Sequence, residues 1–338
     1  MAWMLLLTVA LLLAALSSCA AGRADAPRPP APRRPIADEF PQQTIANDAL
    51  ALHLALPDAR RGYYRARRFD PSGMVLAAEC AGHRYFAPLY LDADPLRNDN
   101  VGGTTEEFDM HAPPGYAGAK PGQPFLKIAI GTLRRADDAA YDFSAPYELS
   151  QPAAWDIDSG RDWIEFRQDF AADGWSYRYV KRVALTPGRP EFSIAHALTN
   201  AGPRALTTTP YAHNFLIVDD EPIGPDYAGT LPFRVPSPVR LGRGEVEVRD
   251  ETVRICEPLT DAGMAACLDG WRAGDAAHNA FTARNTRTGA GIEVRGDAPL
   301  TTYRLYAVRR ALCPELFTRF DIPPGRQARW TYTFRLLA

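Results

Sequence analysis

Few side chains in this sequence combine reactive chemistry with a setting that could use it. His213 lies in Tyr211-Ala212-His213-Asn214-Phe215, where alternation puts it on one face with Tyr211, Phe215 and Ile217. An imidazole titrates near neutral pH and can give or take a proton, and aromatic neighbours suit stacking on a ring. A buried histidine bonded to backbone would leave the same pattern. Glu106 and Glu107 are adjacent carboxylates. Neighbouring strand residues point opposite ways, so only one of the two is expected to serve a site. Arg65, Arg67 and Arg68 form a basic cluster whose planar forks suit carboxylates, although a solvated strand edge would read alike. Lys127 alternates with apolar Leu126 and Ile128, so it faces a groove or water, and water is the expectation.

Two oxygen-rich stretches invite a metal reading. Asp92, Asp94, Asn98, Asp99 and Asn100 form one, and Asp219, Asp220, Glu221 and Asp226 form the other. Neither has the spacing of an EF-hand, and both read as turn chemistry. His83, His111, His196 and His278 show no ligand spacing, and His196 shares an apolar face that marks it as core. No metal or other cofactor is expected.

The elements that must position these groups are strands. Leu50, Leu52, Leu54 and Leu56 alternate with small residues and His53, then stop at Pro57-Asp58. Trp175, Tyr177, Tyr179, Val183 and Leu185 share a face of a second run that ends at Thr186-Pro187-Gly188. Phe192, Ile194, His196 and Leu198 repeat the pattern, as do Trp330, Tyr332, Phe334 and Leu336. Apolar residues at every second position make one buried face, and aromatic and β-branched types fit a pleated surface. No window after the N-terminal segment reads as a long capped helix. Short strands, frequent turn signals and 30 prolines predict a large antiparallel β-sandwich spanning residues 42–338 as one domain.

The N-terminal end reads as an export signal. Trp3 to Leu16 is apolar and uncharged, and Leu16-Ser17-Ser18-Cys19 resembles a lipobox in which Cys19 is lipidated. An ordinary cleaved signal peptide is the alternative. Residues 20–41 are rich in Pro, Ala and Arg and read as a tether. The expected location is the periplasmic side of a bacterial envelope, with the outer membrane favoured because Ala20 rather than Asp follows Cys19. In that oxidising setting Cys80, Cys256, Cys267 and Cys313 could form two bridges, with Cys256 and Cys267 the easiest pair. The net charge of −2, with both signs mixed along the chain, gives no footprint for nucleic acid. A monomer is expected.

Several segments, in order along the chain, resemble the galactose mutarotase-like superfamily, in particular an uncharacterised bacterial lipoprotein branch. They are Gly62-Tyr63-Tyr64-Arg65-Ala66-Arg67-Arg68-Phe69-Asp70-Pro71-Ser72-Gly73, Asn100-Val101-Gly102-Gly103-Thr104-Thr105-Glu106-Glu107-Phe108 and Phe125-Leu126-Lys127-Ile128-Ala129-Ile130-Gly131. Leu198-Thr199-Asn200-Ala201-Gly202 leads to Thr209-Pro210-Tyr211-Ala212-His213-Asn214-Phe215, and Cys313-Pro314-Glu315-Leu316-Phe317 precedes Pro324-Gly325 and the terminal strand. The resemblance implies a supersandwich with an open, sugar-sized groove on one sheet. It also implies an acid at His213 acting on the ring oxygen and a base at Glu315, on a strand-end loop, acting on the anomeric hydroxyl. Glu106 or Glu107 could take that base role or bind hydroxyls. The family's second active-site histidine and its binding aspartate have no clear counterpart here.

Three functions stay open on the sequence. One is an aldose 1-epimerase-like enzyme, with Arg65, Arg68, Glu106, Glu107, Lys127, Tyr211 and Asn214 as substrate-binding candidates around His213 and Glu315. The second is a carbohydrate-binding lipoprotein without turnover. The third is a polysaccharide lyase-like enzyme using Arg65, Asn214, Tyr211 and His213. Most such lyases carry an extra α-barrel, for which this chain has no room.

Overall fold

The computed structural model describes residues 39–90, 92 and 94–338. The expected signal segment, Cys19 and nearly all of the expected tether lie outside the described residues. Among the described residues there are strands and two short 3-10 turns, Tyr116–Gly118 and Ala276–His278, but no α-helix. The all-β expectation therefore holds.

Two large antiparallel sheets form the body. A nine-stranded sheet runs from Gln42–Ala46 through Ala51–Ala55, Val75–Cys80, Gly103–Phe108, Pro210–Phe215, Ala311–Phe317 and Thr302–Val308 to Met264–Cys267, with His83–Tyr85 added beside Val75–Cys80. An eleven-stranded sheet has the long strands Trp163–Ala172, Trp175–Leu185, Glu191–Asn200 and Gln327–Leu337 side by side. Three of the four periodic runs identified above, Trp175–Leu185, Glu191–Asn200 and Gln327–Leu337, pair directly, with Tyr179 opposite Leu198 and Phe192 opposite Phe334. Their apolar faces meet the nine-stranded sheet: the Phe108 ring sits 5.3 Å from Tyr179 and 6.2 Å from Trp330. Edge-on contacts at these separations are the favoured aromatic geometry.

Gly103 shows why the Gly102-Gly103 step opens its strand. Its φ is +59°, and a Cβ there would lie 1.7 Å from the Val75 carbonyl oxygen. Only glycine lets the two strands approach this closely.

The inter-sheet core is not wholly apolar. Lys181 falls on the same buried face as Tyr179 and Val183. Its ammonium donates to the Ser72 carbonyl at 2.8 Å and lies 2.5 Å from Glu106 Oε2 and 3.4 Å from Asp70 Oδ2. His196 Nε2 meets Glu106 Oε1 at 2.8 Å, and its ring stacks on Trp330 with centroids 4.7 Å apart. Burial alone would push the Glu106 carboxyl up, but His196 and Lys181 outweigh it and hold it at about 2.

The four described cysteines are free, against the expectation of two bridges. Cys256 directly follows Thr252–Ile255 in the larger sheet, whereas Cys267 ends Met264–Cys267 in the smaller one. The short segment between them crosses from sheet to sheet rather than closing a hairpin.

Removing one member of a buried charge cluster leaves the others uncompensated. Lys181→Met should cost about 3–5 kcal/mol of unfolding free energy, read by chemical denaturation. Arg178→Ala, which breaks the exposed pair with Asp169, should leave the stability nearly unchanged. Equal losses in the two variants would show that Lys181 does not anchor the core.

Candidate functional site

Register gathers the site on the outer face of the nine-stranded sheet. Pro210–Phe215 lies between Gly103–Phe108 and Ala311–Phe317, so Tyr211 is flanked by Glu107 and Phe317, and His213 by Thr105 and Glu315. Ala311–Phe317 continues by a tight turn from Thr302–Val308, which places Arg304 opposite Glu315. Strand alternation sends Ala212, Asn214, Glu106 and Leu316 to the other face, toward the inter-sheet core. Asn214 thus shares a strand with His213 but not a face, and its amide donates weakly to the Pro314 carbonyl at 3.4 Å.

His213 and Glu315 are in direct contact. Nε2 of His213 is 3.1 Å from Oε1 of Glu315, and the other carboxylate oxygen accepts from Arg304 Nη1 at 2.8 Å. Glu315 sits in mid-strand rather than on a strand-end loop, because the Arg309-Arg310 turn returns the chain immediately. Burial pushes its carboxyl up to about 7, although Arg304 and Arg68 pull the other way. Burial, with Arg68 and Arg304 adding to it, holds His213 well below the usual imidazole range. The pair therefore carries one readily exchanged proton near neutral pH, shared by two groups whose titrations are linked. His213 Nδ1 is buried and has no hydrogen-bond partner among the described residues.

A second carboxylate stands beside the pair. Glu107 accepts from Tyr211 Oη at 2.7 Å, Arg68 Nε at 2.9 Å and Lys127 Nζ at 2.9 Å. Lys127 is fully buried, contrary to the expectation of water, because the strand Pro124–Lys127 is covered on both faces and alternation there carries no solvent side. Burial opposes ionisation of Glu107, yet Lys127 and Arg68 overcome it and keep its carboxyl low.

The groove over the pair is closed rather than open. The side chains of His213 and Glu315 are 6% and 1% exposed. The Arg68 guanidinium lies between the rings of Phe69, at 4.3 Å, and Phe143, at 4.2 Å. Asp99 accepts from Arg68 Nη1 at 2.5 Å on the solvent side. Phe69 packs edge-on to the His213 ring at 5.8 Å. Of the residues singled out in the sequence, Arg68, Glu107, Lys127, Tyr211, His213 and Glu315 come together here. Glu106 belongs to the inter-sheet core, and Arg65 makes no hydrogen bond or ion pair to any of them.

Arg304, Asp99 and Phe143 were not singled out as partners in the sequence. Arg304 had a signal: a two-residue turn at Arg309-Arg310 makes 304 and 315 cross-strand partners by counting alone. Phe143 had none, since it reaches the site from an irregular segment.

No family model matches the sequence, and no curated protein matches it. Solved structures match the fold along most of the chain. A protein from Synechocystis sp. is 12% identical over 90% of this chain and 99% of its own, with a TM-score of 0.55. A putative aldose 1-epimerase from Escherichia coli K12 is 11% identical over 88% and 98%, with a TM-score of 0.52. A galactose mutarotase related enzyme from Lactobacillus acidophilus is 10% identical over 88% and 97%, with a TM-score of 0.50. The chain has the galactose mutarotase-like fold. Within that fold, the acid–base candidates of this chain sit on central strands of one sheet and touch, while a basic and aromatic cover lies over them.

Because Glu315 holds its proton more tightly folded than unfolded, its stabilising effect is full below pH about 4.5 and is lost as pH rises through about 7. Glu315→Gln cannot ionise. Its melting temperature relative to the parent should therefore rise between pH 5 and pH 8, by the equivalent of about 3 kcal/mol. Parallel curves for the two proteins would show that Glu315 titrates normally.

Proposed function

We propose that the protein acts on the anomeric centre of a sugar, as an aldose 1-epimerase-like catalyst with Glu315 as base and His213 as acid. The observation that carries this reading is the 3.1 Å contact between His213 Nε2 and Glu315 Oε1 on adjacent strands. The fold shared with a putative aldose 1-epimerase supports it. Ring opening needs a proton taken from the anomeric hydroxyl and one delivered to the ring oxygen, and both oxygens are bonded to the same carbon. An acid and a base serving them belong close together and part only a little to admit the substrate. The C1–ring-oxygen bond then breaks, the aldehyde rotates, and the same two transfers run in reverse. The unpartnered Nδ1 of His213 is a second place on the same ring where a sugar oxygen can bond.

Access requires the cover to move. Arg68 and Phe69 lie over the pair, and the Arg68–Asp99 contact is the latch nearest solvent, with Asp99 half exposed. The sealed pair also favours a second reading, a carbohydrate-binding protein that keeps the residues but does not turn sugar over.

Anomer exchange followed by NMR on glucose, galactose and their uronic acids separates the two. Acceleration by the parent, lost by about a hundredfold or more in both His213→Asn and Glu315→Gln, is the expected result. Activity should fall as pH rises through about 7, where the pair loses the single proton that His213 must deliver to the ring oxygen. Line broadening of one sugar with no faster exchange would favour binding without turnover.

A further inference from the structure

A cavity of about 570 Å³ lies on the far side of the segment that covers the pair. Tyr64, Arg65, Arg67, Ile130 and Trp155 line it, together with Asp58. Neither His213 nor Glu315 reaches it. Tyr64 is the shared wall, since its hydroxyl accepts the backbone N–H groups of Arg68 and Phe69 at 3.1 and 3.0 Å.

The charges in this cavity do not balance. Arg65 and Arg67 form no ion pair among the described residues, and Arg65 Nε is buried without a hydrogen-bond partner. Arg67 Nη1 donates to the carbonyl of its own neighbour Arg65 at 2.6 Å, which fixes its guanidinium over the backbone. Asp58 is the sole acid in the lining, and its Oδ1 is committed to the N–H groups of Arg60 and Arg61, both at 2.8 Å. Burial and the Arg65 charge both push Arg67 down from its ordinary value, as expected where like charges share a space that lacks an anion. The rest of the wall is apolar, and Leu96 at the rim is 63% exposed. A cavity of this size with convergent donors and apolar walls is the form of a small-molecule site.

We propose that this cavity binds a carboxylate carried on a small ring with an apolar face, the guanidinium forks of Arg65 and Arg67 taking the carboxylate and Trp155 and Ile130 taking the ring. A hexuronate is the simplest carbohydrate of that class. The anion requirement stands on the two arginines alone, and only the choice of a sugar ring rests on the function proposed above. Because guanidinium and carboxylate are both planar, two parallel hydrogen bonds form at once, and this favours a carboxylate over a hydroxyl at the same position.

The test is calorimetric titration of the protein with glucuronate, glucose and inorganic phosphate at low and high salt. Glucuronate should bind more tightly than the other two, and more weakly as salt rises. Arg65→Ala and Arg65→Ala/Arg67→Ala should weaken glucuronate by about tenfold or more, and Arg65→Lys should recover only part of the loss. Anomer exchange on neutral sugars should be unchanged in Arg65→Ala, whose circular dichroism reports its folding. Glucuronate affinity that survives the double substitution overturns the proposal, as does phosphate binding as tightly as glucuronate. If neutral sugars exchange anomers but glucuronate does not bind, this site is refuted and the function proposed above stands. If glucuronate binds through the arginines but no sugar exchanges anomers, the reverse holds.

Discussion

Two adjacent carboxylates on one strand, each neutralised on a different side of the same sheet, constrain everything else in this protein. Glu106 points into the space between the sheets and meets Lys181 and His196. Glu107 points out and meets Lys127, Arg68 and Tyr211. A buried charge is tolerated only when paired, so each glutamate requires a lysine on a strand that is itself buried. The inner set ties the two sheets together. The outer set fixes Arg68, and Arg68 in turn closes over the histidine–glutamate pair.

This arrangement explains what the sequence conveyed and what it withheld. The strands were legible because one face of each is apolar at every second position, as with Phe192, Ile194 and Leu198. The gathering of His213, Glu107 and Tyr211 was legible in part, because those residues lie within two short strands whose pairing the alternation supports. The burial of Lys127 and Lys181 was not. Alternation tells which residues share a face, but not whether the opposite face meets water or another layer, and both lysines sit where a second layer covers the strand. The open groove expected from the resemblance failed for a related reason. Its cover is made of Arg68, Phe143 and Asp99, which come from irregular segments and converge only in three dimensions.

The closed pair and the arginine-lined cavity are two sides of one stretch of chain. Tyr64 through Phe69 offers the backbone N–H groups of Arg68 and Phe69 to the Tyr64 hydroxyl, and sends Arg65 and Arg67 one way and Arg68 and Phe69 the other. Lysine could not replace arginine at position 68 without loss. The guanidinium is flat enough to lie between two rings while still donating to Glu107, Asp99 and Tyr211.

The paired glutamates also bear on how the strand finds its alignment. Sliding Gly103–Phe108 by one residue would exchange its faces, yet each face would still carry one carboxylate within the run Thr104-Thr105-Glu106-Glu107. Charge is therefore a poor judge between the right alignment and its nearest competitor. Discrimination falls to the two ends: Phe108, whose ring packs against Tyr179 and Trp330, and the Gly102-Gly103 pair, where side chains would meet the Ala87 and Val75 carbonyl oxygens. Errors at either end would be felt as mixtures of misaligned sheets rather than as a loosened core, and the cost would appear in the yield of correctly folded chains.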